Sequence, residues 1–224
     1  MDQRELANTC AWLDTLYGKA TKDDGEVVVI GPQRNRVLSV HKTSSKQLVA
    51  AAKSMHKHPG CYAKINLMDY TEMMSRSVAS GGRPVVGKQS EVRSVVSIHL
   101  DVDADAKGSK YVSRHHAKWC IEQMPLKPTL VINSDGDHGG FHVYWVLSRP
   151  VRIRSEADRD RVASIAKDWQ SRLSSLLGGK LDSTANLDRV LRCVGVPRID
   201  GGRVCMESCD FDSVYSIEDF VDAL

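Results

Sequence analysis

Asp101 and Asp103 are separated by a single residue in the stretch SVVSIHLDVDAD, and a strand would carry both on one face. Two carboxylates so placed repel each other unless a cation lies between them. Hard ions such as Mg²⁺ or Mn²⁺ want oxygen ligands and keep waters for substrate phosphates, so the pair reads as a divalent metal site. Alternation sends Val96, Ile98, Leu100 and Val102 towards a core and Ser97, His99, Asp101 and Asp103 the other way. The plain alternative is an exposed acidic strand end. Asp105 falls in the turn beyond and is expected to be solvated.

A second segment, NSDGDHGGFHVYWVL, runs from a glycine-rich turn into a strand with Phe141, Val143 and Trp145 on one face and His142 and Tyr144 on the other. Glycines there let backbone amides approach a phosphate closely. His142 therefore reads as a contact for a nucleotide triphosphate, against the common structural role of a strand histidine. His138 belongs to the turn and is the weaker candidate. A third segment, GGKLDSTANLDRVLRCVGVPR, places Asp182 directly after a Gly-Gly break, where it could complete a carboxylate triad. Arg189 and Arg192 suit phosphate oxygens, which a guanidinium matches in geometry. Capping roles for Asp182 and Asp188, and surface ion pairs for the arginines, are the alternatives.

The elements that must position these residues follow from periodicity. Residues 4–17 form an amphipathic helix with Leu6, Cys10, Trp12, Leu13 and Leu16 in its stripe, stopped at Gly18. Glu26–Ile30 and Arg36–Val40 read as a hairpin, Ser44–Met55 as a helix and Tyr62–Met68 as one strand. Residues 75–89, rich in Ser, Gly and Arg, read as a connecting loop. Strands at Val92–Asp103, Thr129–Asn133 and Phe141–Leu147 enclose a helix at Ser113–Gln123. Ser155 caps a long helix to Leu177, and short strands and a terminal helix close the chain. The class is α+β, two small sheets with helices packed on them.

At 224 residues, with 42% hydrophobic and 26% charged residues, the chain can bury a real core. It has no apolar run of about 20 residues that would span a membrane. The N-terminus does not read as a signal peptide, so a cytoplasmic location is expected. Six cysteines without paired spacing are then expected to be reduced thiols. Neither Cys205 with Cys209 nor His56, His58 and Cys61 makes a complete zinc set. A net charge of +3 excludes little, but two local clusters could receive nucleic-acid phosphates. One is Lys107, Lys110, Arg114, His115, His116 and Lys118; the other is Arg189, Arg192, Arg198 and Arg203.

In order and spacing, the three segments resemble the archaeo-eukaryotic primase superfamily, especially the primase–polymerase domains of plasmid and phage replication proteins. The family pattern is an acidic hDhD/E strand, an S-x-H strand, then an hD element before an arginine-rich stretch. Here these are Leu100-Asp101-Val102-Asp103, Gly140-Phe141-His142, and Leu181-Asp182 followed by Arg189-Val190-Leu191-Arg192, across about residues 90–205. Gly stands at 140 where the family often has Ser. RCVGVPRID keeps Gly195 of the family's R-l-P-G-T-x-N-x-K but not its Pro, Asn and Lys.

The resemblance implies a single catalytic domain over 1–224: a small N-terminal αβ lobe (1–74), a connecting loop (75–91) and an RRM-like catalytic lobe (92–224), with the active site in the cleft between lobes. It implies metal ligation by Asp101, Asp103 and Asp182, nucleotide contact by His142, and Arg189 and Arg192 near the triphosphate or template. Asp188 is the rival third acid; Asp182 is preferred because it precedes the Arg-x-x-Arg run. The implied activity is that of a primase or DNA polymerase acting on nucleotide triphosphates and a single-stranded DNA template. A helicase or other replication module, in the same or another chain, is a partner it allows. A two-metal nuclease would use the same residue types, and a noncatalytic RRM-like module is the reading without chemistry.

Overall fold

The computed structural model describes residues 2–82, 86–105, 111–136, 139–179, 181 and 185–224. It opens with α1 (Gln3–Tyr17), whose first turn is capped by Asp2 accepting from the Arg4 amide at 2.9 Å. Then come β1 (Val27–Ile30), β2 (Val37–His41), α2 (Ser45–His56), β3 (Tyr62–Lys64), β4 (Leu67–Met68) and α3 (Tyr70–Ala79). A 3₁₀ turn, Gln89–Glu91, leads into β5 (Val92–Val102), followed by β6 (Ala104–Asp105), β7 (Val112–Ser113), α4 (Arg114–Glu122) and β8 (Leu130–Asn133). The remainder is β9 (Phe141–Arg152), α5 (Glu156–Leu176), β10 (Val190–Arg192), β11 (Cys205–Cys209) and α6 (Ile217–Ala223).

Two sheets carry the molecule, one ordered β10-β3-β1-β2 and the other β11-β8-β9-β5-β4. Two corrections to the sequence reading follow. The expected strand Tyr62–Met68 is two strands in different sheets, because the chain jogs at Ile65–Asn66. The expected loop from 75 is helical as far as Ala79, since Asp69 caps α3 by accepting from the Glu72 amide. Strand exchange links the sheets: β4 leaves the N-terminal segment to pair with β5, and β10 returns from the C-terminal segment to pair with β3.

One face of the five-stranded sheet, with Ile98, Leu100, Val102, Phe141, Val143 and Trp145, packs under α4, α5 and α6. Trp169 of α5 meets Trp145 edge-on at 5.5 Å and Phe220 of α6 at 5.0 Å. Each such pair adds about 1 kcal/mol beyond its buried area. The other face joins α1, α2 and the four-stranded sheet around Trp12, Leu16, Val29, Met55, Ile132 and Tyr144. Val96 belongs to this second cluster rather than facing with Ile98. The ladder between β5 and β9 jumps from Val95↔Val151 to Ser97↔Val146, which resets the alternation. Tyr144 is fully buried there.

Candidate active site

β5 and β9 run antiparallel with Asp101 directly opposite His142 and His99 opposite Tyr144. Opposed residues on one face have Cβ atoms about 5 Å apart, which brings these side chains into contact. His142 Nε2 lies 3.7 Å from Asp101 Oδ1, and the other carboxylate oxygen accepts from Arg189 Nη2 at 2.9 Å. Acid and imidazole come from the five-stranded sheet, and the guanidinium from the residue before β10 of the four-stranded one. Of the residues singled out from the sequence, the structure brings Asp101, His142 and Arg189 together.

Burial lowers the pKa of His142 to about 4, with the charges of Arg192, Arg189 and Arg34 adding to the shift and Asp101 opposing it. Its imidazole is uncharged at neutral pH. His99, fully buried behind it, is likewise lowered to about 4 by burial. For Asp101 burial pushes upward, yet His142 and the Arg189 bond bring its pKa below the ordinary value. With His142 neutral its contribution falls away, and Arg189, assisted by the charge of Arg192, keeps Asp101 ionised. His142 Nδ1 and His99 Nε2 are buried and meet no protein hydrogen-bond partner, a state that native sites resolve with water or ligand.

Asp103, expected on the same strand, lies just past the end of β5 in the single-residue break before β6, and is exposed. An ionised carboxylate and a second acid at one strand end are a donor set that suits a hard divalent ion, with Arg189 as the present counter-charge of Asp101. Asp182 lies outside the described residues, as does His138. Among the described residues no group of three or more His, Cys, Asp or Glu side chains could hold a metal. The carboxylate of Asp188, the rival third acid, sits 3.5 Å from the buried Lys64 Nζ. Asp105, expected in a turn, lies in β6 and accepts from the Tyr111 amide at 3.0 Å.

Several positioning residues escaped the sequence reading. Lys64 donates to the Asp188 carbonyl at 2.5 Å and the Gly87 carbonyl at 3.2 Å. Asn66, also buried, accepts from the Val96 amide at 2.9 Å at the register jump and donates to the Leu187 carbonyl at 3.0 Å. Together they fix the segment that delivers Arg189. No local signal marks them, because the partners that matter here, Asp188 for Lys64 and Leu187 for Asn66, lie 124 and 121 residues away in sequence. Of the second basic cluster, Arg198 is paired with Asp135 and Asp200, and Arg203 with Glu5. Arg114 and Lys118 of the first share Glu207 at 3.1 and 3.0 Å; Lys107 and Lys110 lie outside the described residues. His56 bonds Thr9 at 2.9 Å and Cys61 faces Cys193 at 3.6 Å, so these two residues are engaged elsewhere than with each other.

The fold is similar to that of solved primase structures. The AEP domain of the cyanophage S-2L primase–polymerase matches with a TM-score of 0.59 and 16% identity, over 97% of each chain. The catalytic domain of primase RepB′, solved in complex with initiator DNA, matches at a TM-score of 0.52 and 11% identity, over 96% of this chain and 92% of that one. A second RepB′ primase structure matches at 0.50 and 11%, with this chain spanning 61% of its length. No protein-family model matches the sequence, and no curated protein does.

Proposed function

We propose that the protein is a nucleotidyltransferase of the primase–polymerase kind, joining nucleotide triphosphates on a single-stranded DNA template. The observation that carries the reading is the Asp101–His142–Arg189 constellation at the meeting of the two sheets, on a fold similar to primase–polymerase domains. Asp101, Asp103 and Asp182 would hold Mg²⁺ or Mn²⁺. When bound, the ions would neutralise the triphosphate and departing pyrophosphate and lower the pKa of the attacking hydroxyl.

The chain's own residues orient. His142, uncharged at neutral pH, meets a phosphate oxygen through a hydrogen bond rather than as a cation. Arg189 holds Asp101 ionised and stands ready to share its guanidinium with phosphate as substrate arrives. Lys64 and Asn66 keep residues 187–189 in register, and such chemistry depends mainly on positioning and charge neutralisation. Assignment of the third ligand to Asp182 rather than Asp188 is supported by the contact between Asp188 and Lys64. The noncatalytic RRM-like reading loses its base-stacking platform, because Tyr144 is buried under α1.

Synthesis on single-stranded DNA with Mg²⁺ or Mn²⁺, with and without a primer, tests the proposal against Asp101→Ala/Asp103→Ala. Metal-dependent product that disappears in the double variant is expected, and the unprimed reaction separates priming from extension. His142→Ala is expected to raise the KM for nucleotide by about tenfold, the worth of one hydrogen bond to a charged group. Template degradation in place of extension would assign a nuclease instead, and template binding with neither activity would leave a binding module.

A further inference from the structure

The ladder between β9 and β5 passes from Ser97↔Val146 to Val95↔Val151, so residues 147–150 stand opposite Val96 alone and form a bulge in β9. The bulge is pinned from its other side. Leu147 bridges Tyr215, and the Ser148 amide donates to the Tyr215 carbonyl at 2.7 Å. Pro150, which has no amide proton, suits a position outside the ladder. Arg149 is left exposed at the crest. Bulges of this sort re-aim side chains and gather beside functional sites.

Beside the crest lies a cavity of about 750 Å³ whose walls carry four cations. Arg149, Arg152 and Arg154 come from β9 and the residues after it, and Lys19 from the connection between α1 and β1. Arg152 is anchored, donating to buried Asp24 at 2.5 Å and to the Thr21 hydroxyl at 3.2 Å. Asp24 also accepts from the Thr21 amide at 2.7 Å, and Asp158, the other acid of the lining, accepts from the Arg154 amide at 3.0 Å. Lys19, Arg149 and Arg154 are exposed and make no ion pair among the described residues. Like charges gathered around one hollow without counter-ions favour an anion there.

The hollow is far from the reaction centre. Arg152 is ten residues along β9 from His142, roughly 20–30 Å at about 3.3 Å per strand residue. Pro150 is the one apolar side chain of the lining, so a protein partner would find no hydrophobic anchor. Nor does the lining hold an aromatic ring on which a base could stack. Guanidinium forks match phosphate oxygens, and contacts to phosphate alone hold a strand without reading its sequence.

We propose that this hollow is a phosphate site separate from the centre at Asp101, where Lys19, Arg149 and Arg154 grip the phosphates of a nucleic-acid backbone or of a free polyphosphate. Arg152 sets the wall through Asp24. The site is independent of whichever reaction occurs at Asp101.

Binding without divalent metal tests this on the wild type, Arg149→Ala and Lys19→Ala/Arg149→Ala/Arg154→Ala, with labelled oligo-dT over a range of salt, tripolyphosphate and poly-glutamate as probes. The three side chains are exposed, so both variants are expected to keep the wild-type Tm. Each phosphate contact of a single strand contributes about 0.7 to the slope of log affinity against log salt concentration. Losing three should flatten the oligo-dT slope by about 2, roughly a hundredfold in affinity at about 0.1 M salt, and Arg149→Ala alone should remove about a third of that slope change. A loss on oligo-dT identifies a backbone site, a loss on tripolyphosphate alone a site for free polyphosphate, and either upholds the proposal. Wild-type binding of both phosphate probes by the triple variant would overturn it. So would a loss confined to poly-glutamate, which would mark a surface for an acidic protein segment.

Discussion

Gly140 governs how closely β9 can lie beside β5 at the reaction centre. A Cβ built there collides with the Val102 carbonyl oxygen and comes within 3.0 Å of the Ala104 amide nitrogen. Both neighbours are backbone, so neither can swing away. The Gly140 carbonyl is held as well, accepting from the Ser134 amide and hydroxyl at 3.0 Å each. This explains why glycine replaces the serine that the resemblance leads one to expect: the close approach of the strands leaves no room for a side chain. Gly140→Ser is therefore expected to cost about 2 kcal/mol or more, by spreading the Val102↔Phe141 pair next to Asp101 and His142. For a chain of this length, that is a fall in Tm of roughly 4–8 °C, readable by calorimetry. A variant melting with the wild type would show that the strands part without strain.

The connection from α3 into β5 turns on one carboxylate. Glu91, buried, accepts from Arg76 Nε at 2.5 Å and Nη2 at 2.8 Å and from the Lys88 amide at 2.7 Å. Burial alone would raise its pKa, but the Arg76 and Lys88 bonds bring it below the ordinary carboxylate value. A depressed acid contributes stability that is complete above its unfolded pKa, about 4.3, and is lost as pH falls through the lower folded value. Glu91→Gln should accordingly cost about 1–3 kcal/mol at pH 7, and its deficit should shrink as pH drops below about 4. Urea unfolding at pH 7 and pH 3 measures both; a deficit equal at the two would mean the charge contributes nothing. This junction was not legible in the sequence, where serines and glycines pointed to a loop. Elements with many turns of consistent pattern were legible: α5 shows its Ser155 cap, bonded to the Asp158 amide at 3.1 Å, and its stripe through Trp169. The strands bearing Asp101 and His142 were legible for the same reason. The three-residue β10 was not, because only pairing with β3 makes Val190–Arg192 a strand.

At the scale of the molecule, strand exchange decides whether the N-terminal segment is a folding unit. Residues 1–74 hold α1, α2 and β1 to β4, yet β3 takes its edge partner β10 from beyond residue 189, and β4 pairs outside the segment with β5. The hydroxyl of Thr9 on α1 donates to the Val194 carbonyl at 2.7 Å, and Asn66 and Lys64 are satisfied by residues 187 and 188. Cut free, the segment would expose the edge of β3 and leave these buried polar groups without partners, each at about 1–3 kcal/mol. A segment of that size has little stability to spare. A fragment of residues 1–74 is thus expected to be unfolded by circular dichroism, and the whole chain to melt in one transition. At about 0.7 kcal/mol per residue, its calorimetric enthalpy near 60 °C should be roughly 160 kcal/mol and agree with the van't Hoff value. Two resolved transitions, or a folded fragment, would mean that the sheets are energetically separate. Arg189 could then leave Asp101 by a movement of one sheet against the other. A single transition would instead tie the geometry at Asp101 to the stability of the entire fold, so that damage to β10 removes activity and structure together.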